Sequence, residues 1–214
     1  MRTPGLQLLL ALAIGGITAH AATVYSNPAV GSPETAFFSV GPYIEIGDQI
    51  QLAGTARSAT QATVQLYNPG AAGTFDAILR FYAVGAPVGA PISPDYTLLG
   101  QTAPASSDFL LVFPLAAFVA PDNLIFTLEI QNTSAALDLG LDLYNPPSIG
   151  SSDASFLVVR PASFSQLSGL QTANLYFQLE ADPLGGAPVP EPGTLALSAL
   201  ALSALLLLAK PSQS

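Results

Sequence analysis

Apolar residues are arranged in two different ways along this chain. At the ends they run together, from Leu6 to Ile17 and again from Leu195 to Ala209. Between these blocks, short runs rich in Val, Ile, Leu, Phe, Tyr and Thr alternate with clusters of Pro, Gly, Asn and Ser, the pattern of strands separated by turns. The predicted strands are Ala36–Val40, Tyr43–Ile46, Asp48–Gly54, Ala62–Tyr67, Thr74–Val84, Thr97–Gln101, Asp108–Phe113, Leu124–Gln131, Leu137–Tyr144, Phe156–Arg160 and Leu175–Ala181. Period-two alternation is clearest from Leu137 to Leu143, where every odd position is Leu. That pattern predicts leucines on a buried face and Asp138, Gly140 and Asp142 on the opposite one. No segment of the middle region shows a helical period. Regular strands with Pro/Gly turns predict an all-β fold, an antiparallel β-sandwich of jelly-roll type, with a closed barrel as the alternative.

One stretch recurs. Leu66-Tyr67-Asn68-Pro69 with Gly73, Asp76 and Ala77 matches Leu143-Tyr144-Asn145-Pro146 with Gly150, Asp153 and Ala154 at identical spacing. In each copy a strand would end in Tyr, Asn-Pro would force a turn, and Gly would supply a permissive backbone position. Two copies fall short of a repeat array.

The apolar ends read as targeting segments. Arg2, the run to Ile17 and the small-x-small step Ala19-His20-Ala21 make the three parts of a secretory signal peptide over residues 1–21, cleaved after Ala21. The run is short for a membrane span and holds Gly15 and Gly16. Residues 22–182 then form the ectodomain, 183–189 a Pro/Gly-rich linker, and 190–214 a tail with an apolar helix at about 194–209. At 1.5 Å per residue that helix is roughly 25 Å long, the lower limit for crossing a bilayer. Lys210 behind it places the chain end on the cytoplasmic side.

Val189-Pro190-Glu191-Pro192-Gly193-Thr194, a Leu/Ala span and a basic residue near the chain end resemble the PEP-CTERM sorting signal. The sorting motif would be Pro190, Glu191 and Pro192, and Lys210 stands where the family usually carries a cluster of Arg and Lys. The resemblance implies an exported protein of a Gram-negative, exopolysaccharide-producing bacterium, handled by an exosortase-type processing enzyme at the inner membrane. It also implies residence in the cell envelope or outside the cell. A second resemblance lies in the middle. Val119-Ala120-Pro121-Asp122 before Asn123–Glu129, and Pro146-Pro147-Ser148-Ile149-Gly150-Ser151-Ser152-Asp153, are similar to a recurrent ectodomain of PEP-CTERM proteins. In that group an aromatic residue, often Trp, follows; here it is Phe156.

Composition narrows the chemistry. The chain has no Cys, no Trp and one His, and Lys+Arg number 5 against 14 Asp+Glu, a formal net charge of −9. His20 leaves with the signal peptide, and Arg57, Arg80 and Arg160 are the basic residues of the ectodomain. Nucleic-acid binding is disfavoured for want of clustered cations. Thiol or His-based nucleophiles, a Ser–Lys arrangement, imidazole or thiolate metal sites and phosphate-cradling loops all lack their residues. The arginines are expected to guard strand edges or pair with carboxylates. Carboxylate chemistry survives, with Glu45, Asp76, Glu129, Asp138, Asp142, Asp153 and Glu180 as candidates for a two-acid glycosidase. Asp138, Asp142 and Asp153 could instead contribute oxygens to Ca²⁺. No catalytic residue, metal ligand or cofactor is assigned from the sequence.

The expected function is therefore a non-enzymatic exported protein, structural or adhesive in an exopolysaccharide or biofilm setting. The alternatives are a carbohydrate-binding module acting through surface Tyr and Asn/Gln, with or without Ca²⁺, and a two-carboxylate glycosidase.

Overall fold

The computed structural model describes residues 21–28, 34–38, 45–134, 137–144, 146–152, 157–160, 163–166 and 174–184. The expected signal peptide before Ala21, the greater part of the expected linker, the Pro190-Glu191-Pro192 segment and the apolar tail lie outside them. The described residues form strands and no α-helix. In chain order the strands are β1 (Ala22–Ser26), β2 (Glu34–Phe37), β3 (Glu45–Gln51), β4 (Ser58–Asn68), β5 (Gly73–Ala83), β6 (Tyr96–Ala103) and β7 (Ser107–Val119). They continue as β8 (Asn123–Gln131), β9 (Gly140–Tyr144), β10 (Ser151–Ser152), β11 (Leu157–Arg160), β12 (Ser163–Gln166), β13 (Asn174–Leu175) and β14 (Phe177–Asp182).

Two antiparallel sheets result. In sheet A, β1 pairs β14, β14 pairs β4, and β4 pairs β7 on its other edge. β9 joins β4 at Leu66 and Tyr67, then carries β2 and β13. Sheet B has the order β12-β11-β3-β8-β5-β6, with β10 extending β11 along β3. Alternation turns one side of every long strand inward. Val64 and Leu66 of β4, Phe113 of β7 and Phe177 of β14 face Phe75, Phe81, Phe126 and Leu128 of sheet B, and all are buried. Phe126 and Phe177 stack across the interface at 3.7 Å between centroids, 9° between planes. A well-placed aromatic pair contributes roughly 0.5–1.5 kcal/mol beyond its area.

Three predicted boundaries are corrected. Tyr43–Ile46 and Asp48–Gly54 do not form two strands, because β3 passes straight through Gly47. A Cβ there would collide with the Phe126 carbonyl of β8, so this glycine serves close backbone approach and not a turn. β7 does not stop at Phe113. It continues past Pro114 because β7 is an edge strand and its ladder with β4 bulges there, between Ala59 and Gln61; proline is tolerated at such places. The leucine-alternating strand begins at Gly140, so Asp138 precedes it and does not share a strand face with Asp142. β1, β10 and β12 have no counterpart among the predicted strands.

The two matching segments part company in the backbone. Asn68 closes a turn, its Oδ1 accepting from Gly70 N at 3.0 Å and its Nδ2 donating to the carbonyls of Ala71 and Pro104. Asn145 lies outside the described residues. Gly73 opens a strand against Ser134, whereas Gly150 has φ +77°. The shared spelling does not give a shared corner.

Candidate functional site

Residues pointing outward from the two sheets meet very different surroundings. On sheet B they are Glu45 (β3), Arg80 and Tyr82 (β5), and Thr127 and Glu129 (β8). Pairing places Ile78 opposite Glu129 and Arg80 opposite Thr127, so Arg80 sits diagonally to Glu129. Arg80 Nη1 donates to Glu45 Oε1 at 2.7 Å and to Glu129 Oε2 at 2.6 Å, while Nε and Nη2 hold Asp95 at 3.0 Å each. The hydroxyls of Thr127 and Tyr82 also bond Glu45. Burial lowers the guanidinium's proton affinity, but Asp95, Glu129 and Glu45 outweigh it and hold Arg80 above its ordinary value. Tyr82 is pushed up to about 12 by burial and by the charge of Glu45, with Arg80 opposing. Tyr82, Ile125, Leu157 and the partly buried Phe164 form an apolar cap on this face. Glu45 and Tyr82 are internally satisfied and buried, while Asp95 is exposed at the rim of the cluster.

The outer face of sheet A is open. β4 contributes Thr63, Gln65 and Tyr67; opposite them β7 contributes Val112, Leu110 and Asp108 in register. Leu110 and Val112 are 54% and 46% exposed. On the far edge of β4, Tyr67 pairs with Gly140 and Leu66 with Leu141, so the register runs on to bring Asp142 opposite Gln65. β2 lies beyond β9, with Thr35 opposite Asp142. Phe37 of β2 and Tyr67 are ring neighbours at 6.5 Å, and Tyr144 and Tyr176 at 5.9 Å. A groove of about 400 Å³ opens here, lined by Pro28, Gln65, Asp108, Phe109, Leu110 and Tyr176. A smaller depression of about 270 Å³, bordered by Gln49, Gln51, Asn123 and Ser151 at the β10 end of sheet B, carries no charged or aromatic side chain.

Asp142 is the unusual group of the open face. It is fully buried, and its Oδ1 accepts a hydrogen bond from Thr35 Oγ1 at 3.2 Å. Its Oδ2 has no hydrogen-bond partner among the described residues. Burial, then the charge of the adjacent Asp108, raise it to about 7, against the opposing influence of Thr35 and Gln65. Gln65 Nε2 donates to the Tyr144 hydroxyl at 3.3 Å, and the Tyr176 amide donates to the Asp142 carbonyl at 2.8 Å. Asn27, also buried, ties this edge together through Nδ2 and the carbonyls of Tyr144, Asn174 and Leu175.

Several sequence expectations change here. Asp142 does not lie on a solvated face: it is fully buried, with the Thr35 hydroxyl bonded to its carboxylate and the Tyr176 amide to its carbonyl. Asp138 is exposed and Asp153 lies outside the described residues, so the described structure does not gather the Asp138–Asp142–Asp153 set. Among the described residues, no three His, Cys, Asp or Glu side chains converge as a metal cluster. Glu45 and Glu129 meet at Arg80. Asp76 braces the end of β5, accepting from Gly100 N at 2.7 Å and Asn132 Nδ2 at 2.6 Å. Glu180 accepts from Gln178 Nε2 at 3.2 Å on β14. Tyr25, Tyr82, Tyr96 and Tyr144 are buried, which leaves Tyr67 and Tyr176 as accessible rings among the described tyrosines. Arg57 pairs with Asp122 at 2.7 Å. Sequence reasoning missed Asp108, Thr35 and Gln65, whose meeting with Asp142 depends on pairings across β4 and β9.

Of the residues expected to direct targeting, Ala21 is described and is exposed just before β1. Ala19, Pro190, Glu191, Pro192 and Lys210 lie outside the described residues. No family model, curated protein or solved structure matches this chain.

Proposed function

We propose that this is an exported, non-enzymatic binding protein whose open sheet A face holds a neutral sugar chain of the cell envelope or exopolysaccharide matrix. The observation that carries the reading is the setting of two half-buried tyrosines: Tyr176 lines an open groove together with Gln65 and Asp108, and Tyr67 lies opposite Asp108 in the β4–β7 register. Tyrosine rings offer flat apolar area with a polar tip, and an amide and a carboxylate beside them can take hydroxyl hydrogen bonds. The net charge of −9 disfavours a polyanion as ligand. Asp142 is wholly buried and cannot reach a glycosidic oxygen, which favours binding over two-carboxylate hydrolysis.

Delivery belongs to the same reading. The amino-terminal signal would export the chain, and the PEP-CTERM-like tail, Pro190-Glu191-Pro192 with the apolar span and Lys210, would present it to an exosortase-type enzyme at the inner membrane. The chain changes sheet between β3 and β4, β4 and β5, β6 and β7, β7 and β8, and β8 and β9, which supports a jelly-roll-like sandwich for this ectodomain. The test is a glycan array with wild type, Tyr176→Ala and Tyr67→Ala. Binding to a neutral glycan that both variants lose, with unfolding midpoints unchanged, is expected. Binding that neither variant weakens overturns the assignment of the face. Deleting residues 189–214 is expected to change localisation; identical distribution of the two forms overturns the sorting reading.

A further inference from the structure

Asp108 and Asp142 bring two carboxylates together where the molecule has no cation to spare. Among the described side chains, Arg57 is committed to Asp122 and to the carbonyls of Ala53, Gly54 and Ala56, and Arg80 to Glu45, Glu129 and Asp95. The backbone of Arg160 belongs to β11, in the other sheet. The ectodomain has no lysine or histidine. A positive species between the two carboxylates must therefore come from solvent, as a proton or as a metal ion.

Three observations point to a metal. Asp142 Oδ2 is buried and has no hydrogen-bond partner among the described residues. Asp108 is exposed and lines the groove, so an ion can enter from that side and exchange water there. The remaining neighbours, the Thr35 hydroxyl, the Gln65 amide and the Tyr144 hydroxyl, are neutral oxygen-bearing groups, and no soft ligand is present. Oxygen-only sites select hard cations, which accept mixed protein and water ligands. We infer that Asp108 and Asp142 form a two-carboxylate Ca²⁺ site beside the sheet A groove, completed by Gln65 and water. With two charged ligands, affinity in the range of extracellular modules, a Kd of about 10⁻⁴–10⁻³ M, is expected.

The site stands apart from the sugar reading, since it needs no glycan to be detected. The absence of tryptophan makes the test clean. Tb³⁺ added to the full-length chain in non-ionic detergent can be sensitised by tyrosine alone, and Tyr144 and Tyr176 lie beside the site. Sensitised emission that Ca²⁺ displaces is expected. Asp108→Asn and Asp142→Asn should each weaken it by about tenfold or more, as loss of a ligand does. The exposed Asp138→Asn should leave it unchanged. Asp142→Asn is isosteric, and Asp108→Asn is at the surface, so at least one folded variant reports. No sensitised emission in wild type would mean that a proton bridges the pair, and the inference falls. Equal loss in Asp138→Asn would mean diffuse binding to acidic surface, which overturns the site as well.

Discussion

The outer faces of the two sheets solve one problem in opposite ways. Both carry carboxylates at positions the fold takes out of water: Glu45 on sheet B and Asp142 on sheet A, at 5% and 0% exposure. On sheet B the charge is answered within the protein, by Arg80, Tyr82 and Thr127, and the answer is roofed by Ile125, Leu157 and Phe164. On sheet A no arginine, lysine or histidine side chain among the described residues bonds Asp142, and a groove lies alongside. A scarce cation is placed where the face is closed and withheld where it is open. A buried charge without an internal partner is costly, so the difference marks sheet A as the face shaped for something other than stability.

The sharpest way to break the comparison is Arg80→Met, which keeps the apolar stem but strips the sheet B acids of their partner. Removing one member of a buried ionic group costs about 3–5 kcal/mol, to be read from urea unfolding at neutral pH. A loss below about 1 kcal/mol would put this network in the class of surface pairs and erase the contrast.

Asp142→Asn probes the opposite face. With a native value of about 7 against 3.8 for the free side chain, the folded state holds the proton more tightly than the unfolded chain. Its contribution is complete below 3.8 and is lost as pH rises through about 7. At 1.36 kcal/mol per unit the swing is at most about 4 kcal/mol. Measured in chelator, wild type should lose stability between pH 5 and pH 8, and Asp142→Asn should lose less and be the more stable protein at pH 8. Parallel profiles would mean that Asp142 is not strained as a carboxylate.

Much of the fold can be read from the chain alone, because inward positions follow alternation. Leu139, Leu141 and Leu143 are buried as their spacing requires. What lies over the other side of a strand is not written locally. Asp142 alternates with those leucines and reads as water-facing, yet it is fully buried, its carboxylate bonded by Thr35 of the neighbouring β2. Asp108 and Asp142 meet because β4 runs between them, and their separation in sequence gives no sign of it. Gly47 shows the same limit in a glycine. It looks like a break between two strands, and its cause is the backbone of β8 lying against it. The type of partner for Arg57 and Arg80 was legible, since acids outnumber bases, whereas the particular acids required the sheet registers.

A paired substitution sharpens the contrast with smaller effects. Ile125 and Val112 are both β-branched and both project outward from their sheets, so replacing each by Thr preserves strand propensity. Ile125 is 4% exposed beneath Tyr82, Leu157 and Phe164. A hydroxyl there is buried among apolar groups, and Ile125→Thr should cost about 1–3 kcal/mol. Val112 is 46% exposed, its hydroxyl replacement can reach water, and Val112→Thr should move stability by less than about 0.5 kcal/mol. Chemical denaturation of the two variants side by side measures the difference directly. If Val112→Thr were as costly as Ile125→Thr, something in the intact chain would cover the sheet A face, and the groove could not be the place where a ligand enters. If both were silent, the cap over sheet B would be too loose to exclude water from Arg80, and the closed face would be closed in name only.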